Sequence, residues 1–400
     1  MSQSFNTLFE NKQYKDALDL YNSSFSLKAN LYKVITVKDF CIDNNYNYLV
    51  VEKEKPREIL IPYYYGSKEP EKIKKVISPE IYVAELENAN IIGGNSAIIV
   101  NDYCLYDMAK RDNQARYDLR CESIKNIDKN YAVIGSMNSN EVFKEAISLV
   151  GVAPYNYYHF TVELLSRLQY VDQFEEYRYM PLLIDEMGFN IPQHRELLHI
   201  INKFNHPIIP IKKNYRYKIK KLIYPSYNTW MPINKKAWIK SKPEDYLIAD
   251  SAVEYIRNNV LNNIKSKGHK KIFISRKNCK NVRLINHEEV VELFKKYGFE
   301  IIYPENAKFQ QQVKLFSEAE YIAGVTGSGF TNILYCSSNA KVLCIIPKEH
   351  GSCLYSTISK ILGLKCIFLD AKVITKRKRA FADRSKLDIN YCRDCLNNLL

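Results

Sequence analysis

Between Lys271 and Leu369, short and wholly apolar runs alternate with amphipathic segments, and this alternation constrains the fold more than any other feature of the chain. Lys271-Ile272-Phe273-Ile274-Ser275 reads as a strand, and Glu288–Tyr297 as a helix with Val290, Val291, Phe294 and Tyr297 on one side. Glu300-Ile301-Ile302-Tyr303 is the next strand, and Phe309–Glu320 a helix turning Val313, Phe316 and Ala319 inward. Tyr321–Val325 is a strand, Gly329–Ser338 a helix and Lys341–Ile346 a strand, while Leu354–Leu362 and Cys366–Leu369 form a last helix–strand pair. A strand with one wet face alternates apolar and polar residues. A strand that is apolar throughout needs cover on both faces, which a parallel sheet flanked by helices provides. The expectation is an α/β fold with a Rossmann-like half over this stretch.

The chain holds 400 residues, more than one hydrophobic core usually serves, so two or three domains are expected. Upstream, 31–150 alternates short apolar runs with turn signals. Ile91-Ile92-Gly93-Gly94-Asn95-Ser96-Ala97-Ile98-Ile99-Val100, for example, reads as two strands around a turn. From Asn156 to Tyr170 the pattern turns helical, with Phe160, Leu164, Leu168 and Val171 in one stripe. Strand-like runs return at Met180–Ile184 and Lys220–Tyr224, and Pro225, Pro232 and Pro243 mark a domain junction. The division expected is a helical extension over 1–30, one domain over 31–240, a second over 241–370, and a basic tail over 371–400. Leu8, Ala17, Leu18, Leu20 and Tyr21 follow helical spacing loosely, like half a tetratricopeptide unit. A solenoid needs about three such units, so a capping or docking helix is the reading here.

Charge and cysteine usage narrow the setting. Lys and Arg number 58 against 44 Asp and Glu, a formal +14 that favours anionic partners: nucleic acid, anionic lipid or phosphorylated small molecules. Ten cysteines lie at irregular spacing, several in apolar runs, and the one close pair is Cys392-Arg393-Asp394-Cys395. A single C-x-x-C without nearby His ligands reads as packing rather than zinc. The opening Met1–Asn6 lacks a charged-then-apolar leader, and no apolar run approaches the ~18 residues of a membrane span. A cytoplasmic protein is expected. Lys212–Lys221 interleaves charge with aromatic rings and Lys376-Arg377-Lys378-Arg379 is a compact cluster. Each is a solvated face or a contact for anionic membrane, worth about 1 kcal/mol per residue near the surface. No nucleic-acid-binding pattern accompanies them, so no nucleic-acid partner is expected.

Three segments carry candidate chemistry. Val325-Thr326-Gly327-Ser328-Gly329-Phe330-Thr331-Asn332 joins the end of a strand to the start of a helix, where open α/β sheets bind ligands. Gly327 and Gly329 would let backbone approach a phosphate, with Ser328 and Thr331 supplying hydroxyls, although a tight turn accounts for the two glycines equally well. Ser275-Arg276 ends an earlier strand and Arg283 follows in the loop; they are either diphosphate-gripping guanidinium groups or solvated surface arginines. His159 and Glu163 stand at i and i+4, which suits a general base with its orienting carboxylate or a plain structural pair. No Asp-x-Asp occurs in the chain, so a divalent cation on a diphosphate has no seat of that kind.

Taken in order, four signatures resemble the family 61 glycosyltransferases of capsular and other surface-polysaccharide pathways. They are Asn156-Tyr157-Tyr158-His159-Phe160 with Glu163 and Arg167; Ser275-Arg276 with Arg283 and Asn286-His287-Glu288; Pro304-Glu305 leading to Gln312-Val313, Phe316 and Ala319; and Gly327-Ser328-Gly329-Phe330-Thr331-Asn332. The resemblance covers about 155–350. It implies a glycosyltransferase-B architecture, two Rossmann-like domains facing across a cleft, with 31–240 on the acceptor side and 241–370 binding the nucleotide sugar. It further implies inverting, metal-independent transfer with no cofactor beyond the nucleotide-diphosphate sugar donor, onto a glycan or lipid-linked acceptor at the inner membrane face. Arg276 and Arg283 would meet the diphosphate, with Ser275 beside them, and Thr326, Gly327, Ser328, Gly329, Thr331 and Asn332 would cradle it. Glu305 and Gln312 would contact ribose or base, and His159, or else Glu163, would be the base. Members often carry His-Gly-Ala-Gly where this chain has Thr326-Gly327-Ser328-Gly329. The alternative is a non-catalytic carbohydrate-binding or scaffold protein that retains the fold.

Overall fold

The computed structural model describes residues 4–111, 116–231, 236, 241–262, 268–279, 282–377 and 382–400. In the C-terminal half the five apolar runs form a wholly parallel sheet. Its spatial order is Glu300–Ile302, Lys270–Ile274, Ala319–Val325, Lys341–Ile345, Lys365–Leu369. Counted in chain order this is 2-1-3-4-5, so the winding direction reverses between Lys270–Ile274 and Ala319–Val325, the switch point where such sheets open a crevice at the strands' carboxyl ends. The helix His287–Lys296 buries Val290, Val291 and Phe294, and Phe309–Ser317 buries Val313 and Phe316, as the periodicity predicts. Gly324 lies in the switch-point strand at φ +153°, and a Cβ there would meet the Ile274 carbonyl oxygen at 2.6 Å, so only glycine lets the two strands approach this closely.

The remaining half is built on an eleven-stranded mixed sheet among the described residues. Its parallel part is Ile208–Ile211, Leu182–Asp185, Met137–Ser148 and Tyr215–Pro225. From there, antiparallel pairing runs through Ile81–Ile92, Ile98–Val100 and Tyr103–Leu105, and Asn30–Ile35 joins parallel to the last of these. The basic stretch 212–221 is for the most part a strand in the middle of this sheet. Its period of two buries Tyr217 and Ile219 and leaves Lys218 and Lys220 exposed. Lys213 and Lys221 pair with Glu122 and Glu85 at the exposed surface, which offsets two of its charges.

At the N-terminus, helices Phe5–Glu10 and Tyr14–Ser24 lay Leu8, Phe9, Ala17 and Tyr21 onto Ala29 and Val133 of the sheet's far end. The last thirty residues, read as a basic tail, differ from that expectation. They form a hairpin, Lys372–Thr375 with Arg384–Lys386, and a helix, Ile389–Leu399, whose Cys392, Cys395 and Leu396 join the core beside Phe294 and Leu343. The two thiols of the C-x-x-C are thus packing groups, pushed up to about 12 by burial. Lys378 and Arg379 of the basic cluster lie outside the described residues.

One hydrophobic core spans both halves. It gathers Phe160, Leu164 and Leu168 with Val253, Ile256, Phe309, Phe330 and Ile358. Helix Asp250–Leu261 lies in the middle of this core. A second tie runs through the hairpin Lys55–Ile61 and Lys72–Ser78. Leu60 donates its N–H to Thr357 Oγ1 (3.3 Å), and Tyr64 bridges in parallel to Phe368 at the outer edge of the smaller sheet. Phe368 N–H donates to Tyr63 O and Tyr65 N–H to Phe368 O, each at 2.9 Å. Early chain thereby closes the edge of the late sheet.

Candidate functional site

Two of the predicted segments converge at the switch point. Ser275 and Arg276 follow the end of Lys270–Ile274, and Thr326 and Gly327 follow the end of the neighbouring Ala319–Val325. Arg276 lies against Gly327 so closely that a Cβ on residue 327 would overlap its Nη1. Arg283 returns from the following loop and donates from Nη1 to the Thr326 carbonyl at 2.9 Å. Burial, reinforced by the neighbouring Arg276 charge, lowers the Arg283 guanidinium to about 10, so Arg283 stays cationic at neutral pH. Two like charges held together in a half-buried place cost free energy, which an anion bound between them would recover.

The surroundings are built to hold that pair. Tyr355, at the start of helix Leu354–Ile361, donates its hydroxyl to the Gly327 carbonyl at 2.5 Å. Buried Ser275 turns its Oγ to His287 Nε2 at 2.9 Å and receives the Lys277 N–H at 3.2 Å. Ser275 therefore shapes the strand-end turn. The segment read as a helix over Gly329–Ser338 is a 3₁₀ helix, Ser328–Tyr335, with Thr331 and Asn332 buried and Ser328 and Gly329 part-exposed at its start.

Gln312 and Glu305 fare differently. Gln312 is buried, and its amide donates to the Pro304 and Ala307 carbonyls (2.8 and 3.1 Å) while its oxygen accepts from Asn332 Nδ2 at 2.9 Å. Both ends of the Gln312 side chain are occupied, so Gln312 braces the turn behind the site rather than reaching a ribose or base, while the buried Asn332 Oδ1 has no hydrogen-bond partner among the described residues. Glu305 is exposed on the turn Pro304–Asn306, at the same sheet edge but one strand beyond the switch point.

On the other half, His159 and Glu163 meet in the segment read as a helix from Asn156 to Tyr170. It opens as a π-helical turn, His159–Leu164, and tightens to 3₁₀ geometry at Leu165–Arg167, a wide turn of the kind that recurs at functional sites. His159 Nδ1 lies 2.6 Å from Glu163 Oε2, both side chains are buried, and Glu163 Oε1 accepts the Met231 N–H at 3.3 Å. Arg167, fully buried, donates to the carbonyls of Leu164 (3.4 Å), Pro225 (3.2 Å) and Val150 (3.1 Å), locking the turn to the sheet. Glu163 lines a cavity with Asn95, Ser96, Tyr106, Tyr227 and Trp230, residues that no sequence motif had singled out. Tyr157, two residues before His159, shares a 3.0 Å hydroxyl contact with Tyr335, the last residue of the 328–335 helix, so the two groups of candidate residues sit on elements that touch. Tyr355 was also missed. It contacts Gly327 from 28 positions away, and no local pattern could signal that.

Among the described residues, no three His, Cys, Asp or Glu side chains stand together as a metal site, and no helix is long and apolar enough to cross a membrane.

Residues 157–343 match the family model described as Glycosyltransferase 61. The match begins beside the His159–Glu163 pair and includes the arginines and the 326–332 turn. Over that stretch the chain is similar to the family 61 glycosyltransferases. No curated protein matches the chain.

Proposed function

We propose that the chain moves a sugar from a nucleoside-diphosphate sugar to a hydroxyl of a glycan or lipid-linked acceptor, with inversion and without a metal. The two halves act as donor and acceptor sides of a glycosyltransferase-B arrangement. The observation that carries the reading is the meeting of Arg276, Arg283 and the Gly327 turn at the switch point of a parallel sheet. A departing diphosphate gains negative charge in the transition state, and cations already in place act where that charge develops. The absence of Asp-x-Asp leaves this work to guanidinium groups and backbone N–H groups.

On the other half, the Glu163 carboxylate would hold His159 with Nδ1–H donated to it, leaving the Nε2 lone pair to take the acceptor hydroxyl's proton as the oxygen attacks the anomeric carbon. The proton passes to His159, the new bond forms at carbon, and the electron pair of the broken bond leaves on the diphosphate. The ten cysteines are free of disulfides, which suits a reducing compartment, and exposed Lys218 and Lys220 would meet an anionic inner membrane face in surface-polysaccharide synthesis.

Purified protein assayed for sugar transfer with a panel of nucleotide sugars tests the proposal. His159→Ala should lower turnover by ~10²–10⁴-fold, and Arg276→Ala by ~10²–10³-fold, with activity surviving a chelator. Full turnover by His159→Ala would remove the base assignment, and loss on chelation restored by manganese would remove the metal-free step. Carbohydrate binding without any transfer would favour a non-catalytic protein.

A further inference from the structure

A second imidazole–carboxylate pair stands at the donor end of the molecule, outside the stretch that the family model matches. Strand Lys341–Ile345 lies beside Ala319–Val325 in the parallel sheet, and Thr326 N–H donates to the Ile345 carbonyl at 3.0 Å. The chain leaving that strand therefore emerges at the same sheet edge as the Thr326–Gly327 turn, and it carries His350 on the short turn Lys348–His350. His350 Nε2 lies 3.2 Å from Asp383 Oδ2, and the two side chains are 15% and 6% exposed. Asp383 reaches this place from the C-terminal hairpin, whose Ser385 donates its N–H to the Arg283 carbonyl at 2.8 Å. The Arg377 N–H donates to Asp383 Oδ1 at 2.6 Å, fixing the carboxylate.

We infer that His350 is a phosphate ligand of the donor site, binding the diphosphate through Nδ1 only when that nitrogen takes up a proton, with Asp383 as its positioning residue. This inference rests on the donor-site reading above. With Nε2–H directed at Asp383, the neutral ring has only a lone pair at Nδ1 and nothing to offer a phosphate oxygen. A proton from solvent converts Nδ1 into a donor, so nucleotide binding and proton uptake go together. The groups facing the ring set the balance. Burial and the Arg283 charge oppose the imidazolium and hold the ring below its ordinary range, while Asp383, from the hairpin, and Glu349, on the same turn, favour it. A diphosphate placed against Arg283 cancels that opposition.

Isothermal titration of the full chain with uridine, guanosine, cytidine and adenosine diphosphates tests this. The tightest is carried through buffers of different ionisation enthalpy from pH 6 to 8.5, with melting curves as the folding control. The wild type should take up more protons on binding than His350→Gln. At pH 6 the variant should bind about tenfold more weakly, the loss expected for a hydrogen bond to a charged group, and the two should converge near pH 8.5. Asp383→Asn, which keeps the imidazole but weakens the pull toward its charged form, should move the pH dependence of affinity to lower pH. If His350→Gln binds and takes up protons like the wild type while Arg276→Ala binds weakly, the role of His350 is overturned and the donor site stands. If no diphosphate binds, or binding is indifferent to Arg276, both fall.

Discussion

Position 327 is where the chemistry of the proposed donor site reduces to a single missing methyl group. Its backbone at φ 168° is extended and open to any residue, so the constraint is space: the Arg276 Nη1 occupies the volume a Cβ would need. Because the obstructing atom is the end of a flexible side chain, Gly327→Ala should fold normally and displace the guanidinium. Donor KM should rise about tenfold, a loss of ~1.4 kcal/mol, with the melting temperature little changed. Unchanged donor KM would show that Arg276 reaches the diphosphate by another route. The same scale separates residues that touch substrate from those that brace. Arg276 was legible as a cation at a strand end, and Arg283 as one in the loop that follows. That Asn332 donates to Gln312 was not, because their 2.9 Å bond joins residues 20 positions apart.

Among the elements, the segment 159–171 most repays attention. Its apolar stripe, Phe160, Leu164, Leu168 and Val171, is buried as the pattern predicts, yet the backbone is a π turn passing into a 3₁₀ turn, and α-helical geometry is confined to Leu168–Val171 at its end. Periodicity reports which face is buried. It does not report an extra residue in one turn, at whose end Arg167 donates to the Leu164 carbonyl of the turn itself and to the Pro225 and Val150 carbonyls on the sheet side. Arg167→Leu leaves those carbonyls without their donor at ~1–3 kcal/mol each, so urea denaturation should show a loss of at least about 3 kcal/mol. Arg167→Lys, with one compact donor head, should recover only part of it. A Leu variant as stable as wild type would mean that the carbonyls find other donors. By contrast, the five strands of the smaller sheet were legible nearly to the residue, since parallel strands covered on both faces are continuous apolar runs. The basic stretch 212–221 was harder to place, because a strand in the middle of a sheet can carry lysines on the face left wet.

At the scale of the molecule, the core that passes from Leu168 through Val253 to Phe330 makes the two sheets thermodynamic partners. Unfolding in urea should be one transition, with fluorescence from the two tryptophans, Trp230 and Trp238, and far-ultraviolet circular dichroism from the whole chain giving coincident midpoints. Two separated midpoints would show that the halves melt independently. Proline punctuation around 225–243 hinted at a boundary, and it gave no warning of a helix packed against both sides.

The clasp between Leu60 and Thr357 joins residues 297 positions apart. A ribosome adding about 5–20 residues per second delivers the second partner roughly 15–60 s after the first. Until then the tyrosines of the early hairpin have no edge to lie against and the nascent chain carries them uncovered. Substitutions around Tyr64 would therefore be felt first in the yield of folded chains leaving synthesis, before any effect on the finished enzyme.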